Sequence, residues 1–273
     1  MMFMPTATDL DELLDTAYEV ARAAGAVALG WRGRSTLLVE QKTGPGDLVS
    51  QADREAEQAA RQVLSRRRPD DAVTGEEAGA VAGTAGISWL VDPIDGTTNY
   101  LYGRDDWAVS VAAVDDTDGR VLAAVVSEPA VGRVTGARLG GGTWCDGTQV
   151  HVLDPDRLDH VMVDLGLGRA DRRSRSGDLV ATLVPLLRDV RRGGSAAVGL
   201  ASVATGRVDA SWGPGLQPWD GAAGLLLVSE AGGVVGDLDG PAAGGIPASG
   251  DVLAAGPAVF EALRSLLLAA YAS

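Results

Sequence analysis

Residues 89–100 read WLVDPIDGTTNY and hold the densest set of chemically capable side chains in the sequence. A short apolar run, Trp89 to Val91, meets Asp92-Pro93, and Asp95, Gly96, Thr97 and Thr98 follow at once. Burying two unpaired carboxylates at a strand end is unfavourable by several kcal/mol unless a cation or a proton relieves them. Proline fixes the bend, and glycine frees the next backbone amide. A lone Asp-Pro or Asp-Gly more often marks a turn capped by a side chain. Here both stand in one string with a pair of hydroxyls, which favours a cation-holding turn.

Asp47, Asp53, Glu76 and Asp220 join Asp92 and Asp95 as acidic residues at the ends of expected elements, with no histidine or cysteine among them. The two histidines, His151 and His160, lack partners for a nucleophile, base and orienter set. An all-oxygen donor set suits hard cations, Mg²⁺ above all. Carboxylates without a nucleophilic side chain point to metal-activated water. Gly96-Thr97-Thr98 and Gly194-Ser195-Ala196 can each present backbone N–H groups at a helix start, where the dipole favours phosphate. There is no Walker-type loop and no GxGxxG string, so neither ATP nor a dinucleotide is indicated. Every basic residue except Lys42 is arginine, which hints that position 42 uses a compact ammonium.

A mixed set of elements must position these residues. Apolar residues at steps of three and four predict a helix over 9–31, capped by Thr8 and Asp11 and stopped by Gly33. A strand over 36–41, the loop KTGPGD and a helix over 50–67 follow. Ser50 and Asp53 fit a capping box, so Asp53 has a capping role beside any role in the site. A strand over 72–74 leads to Gly75-Glu76-Glu77, a small-residue loop and then the apolar run that breaks at Asp92-Pro93. Strands over 107–114 and 120–127 form a hairpin around DDTDG, which lacks the spacing and final Glu of a calcium loop. A strand over 133–139 ends at three glycines. Strands over 160–165, 208–212, 234–238 and 252–255 then alternate with helices over 178–187, 193–205, 219–231 and 257–271. The Arg-rich stretch 169–175 reads as the least ordered segment. The pattern predicts an α/β (α+β) layered fold. It forms one domain over 1–273, with two subdomains at roughly 1–149 and 150–273.

A chain of 273 residues with net charge −14 can bury a large core, and its charge argues against nucleic acid or anionic membrane as partner. An acidic protein acting on a phosphorylated substrate needs metal ions to offset the repulsion. One cysteine, Cys145, argues against a disulfide framework or a cysteine-based zinc site. No basic stretch precedes an apolar one at the start, and no apolar run approaches ~18 residues. A cytoplasmic protein is the expectation.

GEE at 75–77, WLVDPIDGTTNY at 89–100 and WDGAAGLLLVSEAGG at 219–233 resemble, in order, the signature blocks of the inositol monophosphatase family. KTGPGD, DLVSQAD and RRGGSAA (191–197) fit the same family, and its bacterial SuhB-type branch above all. The resemblance implies an αβαβα sandwich of the sugar-phosphatase type, a homodimer, two to three Mg²⁺ ions and inhibition by lithium. It implies hydrolysis of a small phosphorylated substrate, inositol 1-phosphate first, by metal-activated water. Glu76, Asp92, Asp95, Asp220 and the carbonyl of Ile94 match metal ligands. Glu76 and Thr97 match the pair that positions and activates the water, with Asp53 supporting Thr97 and Lys42 near the metals. Asp95, Gly96, Thr97, Gly194, Ser195, Ala196 and Asp220 match the phosphate and substrate shell.

One position departs from that pattern. Inositol-specific members carry a Glu seven residues before the ligand at 220, and this chain has Gly213, in WGPGLQPWD. A missing polar contact changes selectivity by orders of magnitude. Histidinol phosphate, fructose 1,6-bisphosphate and 3′-phosphoadenosine 5′-phosphate are therefore alternative substrates, although the asparagine of GTTNY favours the inositol-type branch. Two non-enzymatic readings compete. A SuhB-like interaction protein, tied to transcription complexes, has no chemical reason to keep all five metal positions. A cation-binding module has no reason to draw ligands from three distant segments beside anion-binding glycines.

Overall fold

The computed structural model describes residues 6–32, 39–41, 48–168, 176–242 and 244–272. Lys42 and Asp47, at the two ends of the KTGPGD loop, and the Arg-rich stretch 169–175 lie outside the described residues. The chain begins with helix α1 (Ala7–Trp31), strands β1 (Val39–Gln41) and β2 (Leu48–Ser50), and helix α2 (Gln51–Arg67). Strands β3 (Ala72–Gly75), β4 (Gly79–Val81) and β5 (Ile87–Asp95) lead to the short helix α3 (Thr97–Leu101). β6 (Ala108–Asp115), β7 (Val121–Glu128), β8 (Arg133–Arg138), β9 (Thr143–Cys145) and β10 (Thr148–Val150) follow. Then come β11 (Met162–Leu165), α4 (Ser176–Leu183), β12 (Asp189–Arg191), α5 (Ala196–Ala204) and β13 (Ala210–Gly213). The last elements are α6 (Pro218–Glu230), β14 (Val234–Asp237), β15 (Gly240–Pro241), β16 (Val252–Ala255) and α7 (Pro257–Ala272).

Among the described residues, β3 to β10 form an eight-stranded sheet ordered β10-β9-β8-β7-β6-β5-β3-β4. β11 to β16 form a six-stranded sheet ordered β12-β11-β13-β16-β14-β15. Alternation along each strand sorts side chains into layers. On β6, Val109, Val111 and Ala113 pack with α1 and α2, while Ala108 and Ala112 pack with α5 and α6. On β16, Val252 and Ala254 join that same middle layer, and Leu253 and Ala255 pack with α4 and α7. The order is therefore α1/α2, sheet, α5/α6, sheet, α4/α7, the αβαβα sandwich expected. The middle layer explains why α5 and α6 are apolar almost all round: both faces meet a sheet, so neither has a polar stripe.

The structure differs from the sequence expectations in several places. Helix α1 starts earlier, and its capping box is Thr6 with Asp9, not Thr8 with Asp11. The two pairs share one spacing, so pattern alone does not choose between them. The strand through Trp89 continues past Asp92-Pro93 to Asp95, with a bulge between Asp92↔Ser110 and Asp95↔Ala108. Pro93 sits in that bulge, where a missing N–H breaks no ladder bond. Helix α4 ends at Leu183, because the backbone ahead of Pro185 is pushed out of the helical region. His160 lies in a 3₁₀ turn before β11 and is exposed, as is His151. The short strands β4, β9, β10, β12 and β15 hold too few residues for a two-residue period to register. No helix among the described residues is long and apolar enough to cross a membrane.

Candidate active site

β3 and β5 run parallel with Gly75 opposite Val91, so Glu76, just past β3, and Asp92, still paired with Ser110 of β6, lie at the same end of the sheet. Carboxyl ends of parallel strands are where layered α/β folds gather ligands. The N-termini of α5 and α6 reach the same place from the middle layer. There the carboxylate oxygens of Asp92, Asp95 and Asp220 lie within 4.8 Å of one another.

Each carboxylate is aimed by its own backbone. Asp92 Oδ1 accepts from Ile94 N at 2.9 Å across the bulge. The bulge turns Asp95 toward α5, where its Oδ2 accepts from Ser195 Oγ at 2.5 Å and Ala197 N at 2.6 Å. Ser195 caps that helix, its Oγ accepting from Val198 N at 3.1 Å. Asp220 stands in the first turn of α6, and its Oδ2 accepts from Gln217 N at 2.9 Å. Ser110 of β6 donates to Trp219 O at 2.8 Å and so ties that turn to the first sheet.

Helix α3 begins at Gly96, whose φ of 93° is left-handed, and an added Cβ would stand 3.1 Å from both Asp106 O and Ser195 Cβ. Position 96 therefore accepts no side chain. Asn99 Nδ2 donates to Asp106 O at 2.6 Å and to Gly193 O at 2.7 Å, joining α3 to the loop before α5. Tyr100 anchors α3 from below, donating to Ala28 O and meeting Trp107 edge-on at 5.0 Å between ring centroids.

The electrostatics are those of crowded acid groups. Burial, and then the charges of Glu76, Asp95 and Asp220, hold the Asp92 carboxyl well above the ordinary carboxylate range. Burial pushes Asp95 up to about 6, against the pull of Ser195 and Ala197. Asp53 is also raised to about 6, first by burial and further by Glu76, with the Ser50 hydroxyl and amide pulling it down. Three close carboxylates with only oxygen donors and no compensating side-chain cation among the groups that shift them fit a hard divalent cation.

The expected roles divide. Asp92, Asp95 and Asp220 come together as one group, whereas Glu76 lies outside the 4.8 Å set and acts on it through its charge. Thr97 does not bond Asp53: its Oγ1 donates to Ile94 O at 3.2 Å. Asp53 Oδ2 accepts from Ser50 N and Oγ at 2.9 and 2.5 Å, so its geometry is that of a helix cap facing the site. The N-terminus of α5, expected to offer its amides to phosphate, is occupied by Asp95 through Ser195 and Ala197. A buried carboxylate close by outcompetes solvent for those donors.

Sequence reasoning missed Glu57. It is 1% exposed, pairs with Arg61 at 2.7 Å, and accepts from Glu77 N at 2.7 Å and Ala78 N at 3.1 Å. It thereby braces the turn that carries Glu76. The available signal was an acidic residue beside the buried stripe Ala52, Ala56, Ala60 and Leu64 of α2.

A cavity of about 160 Å³ extends from Asp95 and Asp220 past Ser195 to Asp164, Arg192 and Leu216. Gly213 lines it, and a Cβ there would stand 2.9 to 3.2 Å from the Leu216 side chain, which fills the space.

With this geometry in view, the comparisons with known proteins agree. A family model described as "Inositol monophosphatase family" matches residues 9–271. An inositol-1-monophosphatase of Rhizobium meliloti is 38% identical over 252 residues, 91% of this chain and 92% of that protein. A protein of Pseudomonas aeruginosa named Nus factor SuhB is 35% identical over 238 residues, 85% of this chain and 87% of that one. The solved structure of the extragenic suppressor protein SuhB from Bartonella henselae superposes with a TM-score of 0.87 at 32% identity, covering 93% of this chain and 97% of that one. A family model that spans almost every element from α1 to α7 leaves one assignment: the chain belongs to the inositol monophosphatase family and is a phosphatase, a phosphoric monoester hydrolase.

Proposed function

We propose that the chain hydrolyses a small polyol or sugar phosphate, inositol 1-phosphate first among them, with two to three Mg²⁺ ions. The observation that carries this is the group of Asp92, Asp95 and Asp220 oxygens within 4.8 Å, drawn from β5 and α6 at one cleft. Asp92, Asp95, Asp220, Glu76 and the Ile94 carbonyl would hold the ions. Bound divalent cations supply Lewis acidity to the phosphoryl oxygens and lower the pKa of water.

The chain's own residues do the rest. Glu76 accepts the proton of the attacking water, and Thr97 Oγ1, already fixed by Ile94 O, orients it. Asp53 holds the first turn of α2 against this site, and Lys42, outside the described residues, would by the family resemblance add positive charge to it. Gly96 and Thr97 amides face the phosphate, while Ser195, Ala196 and the Gly194 backbone set its distance from Asp95. In-line displacement then sends the leaving oxygen into the cavity beyond Ser195, where charge on the departing group must be met. The two subdomains, roughly 1–149 and 150–273, meet at this cleft and work as one unit.

The name of the Pseudomonas relative raises an interaction role for the same fold. Clustered buried carboxylates favour hydrolysis, since a docking surface gains nothing from charges that repel one another. A homodimer, inhibition by lithium and a cytoplasmic setting belong to the same proposal. Purified protein assayed for phosphate release should act on inositol 1-phosphate or a related polyol phosphate with Mg²⁺ and fall silent with a chelator. Silence across a broad panel of phosphomonoesters, with Mg²⁺ present, would end the enzyme reading.

A further inference from the structure

Helix α3 stands between two loops that come from opposite halves of the chain. The loop over 104–106 is held from α1, since Arg32 donates to Arg104 O and to Asp105 Oδ1. The loop over 192–194 is held from β11: Gly193 N donates to Asp164 Oδ1 at 2.8 Å. The second Asp164 oxygen is closed in, and a Cβ on Gly199 would stand 2.5 Å from it. Asn99 lies between the loops, 9% exposed, and its Nδ2 donates to Asp106 O at 2.6 Å and to Gly193 O at 2.7 Å. Both acceptors are backbone carbonyls, so the group facing them has to be an NH₂. Asparagine is the shortest side chain that donates twice from one atom. Aspartate would turn oxygens on oxygens, and serine has a single hydrogen to give.

We propose that Asn99 is a positioning residue for phosphate hydrolysis: its amide fixes the spacing between the Gly96-Thr97 turn and the Gly194-Ser195 turn, whether or not a cation engages Asp95. The inference rests on the placement of phosphate between these turns proposed above, and identifies what sets their separation. The close approach is built in. Gly96 and Gly194 have left-handed backbones, with φ of 93° and 97°. A Cβ on Gly96 would stand 3.1 Å from Ser195 Cβ, and one on Gly194 would stand 2.8 Å from Asn99 Nδ2. Asp95 crosses the same seam through Ser195 Oγ and Ala197 N, but its carboxylate belongs to the cation group. Asn99 lies outside that group and spends only N–H donors, for which a cation does not compete. A misplacement of about 1 Å between reacting groups costs about 100-fold in rate, so a fixed spacing here bears on turnover rather than on binding.

Asn99→Leu keeps the size and removes both donors, and Asn99→Ser keeps one. Hydrogen–deuterium exchange, with and without Mg²⁺, reads the seam directly. With leucine, peptides covering 97–106 and 191–197 should exchange about 10-fold faster together, while the strands of both sheets stay as in wild type. On inositol 1-phosphate or 4-nitrophenyl phosphate at saturating Mg²⁺, kcat should fall about 100-fold with KM within about threefold, the mark of lost alignment rather than lost binding. Serine should lie between wild type and leucine in both measurements, and it carries the test if the leucine variant does not fold. Faster exchange in one segment only would reduce Asn99 to a local brace and overturn the proposal. So would an unchanged pattern, a general rise across both sheets, a contrast that Mg²⁺ erases, or a loss confined to KM. A wild type inactive on both substrates counts against the phosphate-hydrolysis reading, and the exchange pattern still decides the seam.

Discussion

The two ends of the active-site cleft are built in different ways. At the acidic end, Asp92 and Asp220 are aimed by amides two and three residues away, and Asp95 by the capped start of α5. At the other end, the wall depends on which strands lie side by side: Gly213 and Leu216 from one segment, Asp164 and Ser211 from paired strands. Where backbone amides and a helix start aim each carboxylate, a change is expected to remove the reaction. Where packing shapes a wall, a change is expected to alter which alcohol is released rather than whether one is.

The largest expected effect tests the acidic end. Asp95→Asn keeps an oxygen for Ala197 N and so should remain folded, yet turnover should fall by about 10³-fold, the several kcal/mol that a cation site supplies. Near-wild-type rates with an unchanged melting curve would remove Asp95 from the cation group.

Metal addition and removal come next. Asp53 and Asp95 titrate near 6 in the folded protein against an ordinary 3.8, so the native state holds their protons longer than the unfolded chain does. Their contribution to stability is therefore lost as pH rises from about 4 to about 6 and stays low above that. Mg²⁺ should offset the loss where the groups are charged. At 100-fold over its Kd it should raise Tm at pH 7.5 by about 5–10 °C, and clearly less at pH 5. Equal shifts at the two pH values, measured by differential scanning fluorimetry, would mean the ion binds elsewhere.

Glu57→Gln probes the brace behind Glu76. Half-saturation for Mg²⁺ should rise about 10- to 100-fold while kcat at saturating metal stays within about twofold. A fall in kcat that excess Mg²⁺ does not restore would give Glu57 a different part.

The smallest effect tests the packed end. Gly213→Glu alone meets the Leu216 side chain and should change selectivity little. Adding Leu216→Ala should open the space and raise the preference for inositol 1-phosphate over glycerol 2-phosphate about 10-fold. Identical kcat/KM ratios in the single and double variants would show that Leu216 does not gate this wall.

The same division governed what the sequence disclosed. WLVDPIDGTTNY placed Asp92, Asp95 and a tight turn together because the relevant forces act over a few residues, and the mixture of helices and strands followed from periodicity, whereas the order of the layers was implied by the family resemblance alone. The bulge at Pro93 was not visible, since a strand that bends and one that stops leave the same residue pattern. Nor was the partner of Thr97, because the resemblance names Asp53 while the hydroxyl turns back to the carbonyl three residues before it. Asp164 escaped notice for a further reason: its surroundings depend on sheet order and on Gly199, neither of which is local in the chain.

Asp95 and Ala197, joined by one hydrogen bond, stand 102 positions apart. At about 5–20 residues per second of synthesis, the partner of Asp95 emerges roughly 5–20 seconds after it. Before the second half of the chain is made, neither Ser195 nor Ala197 exists to bury Asp95, and a solvated carboxylate carries little penalty. The repulsion described for the finished protein is thus a late arrival, imposed when the second sheet closes over the first. Until then the group also lacks Asp220, which is made later still, so the three carboxylates meet only when the chain is nearly complete.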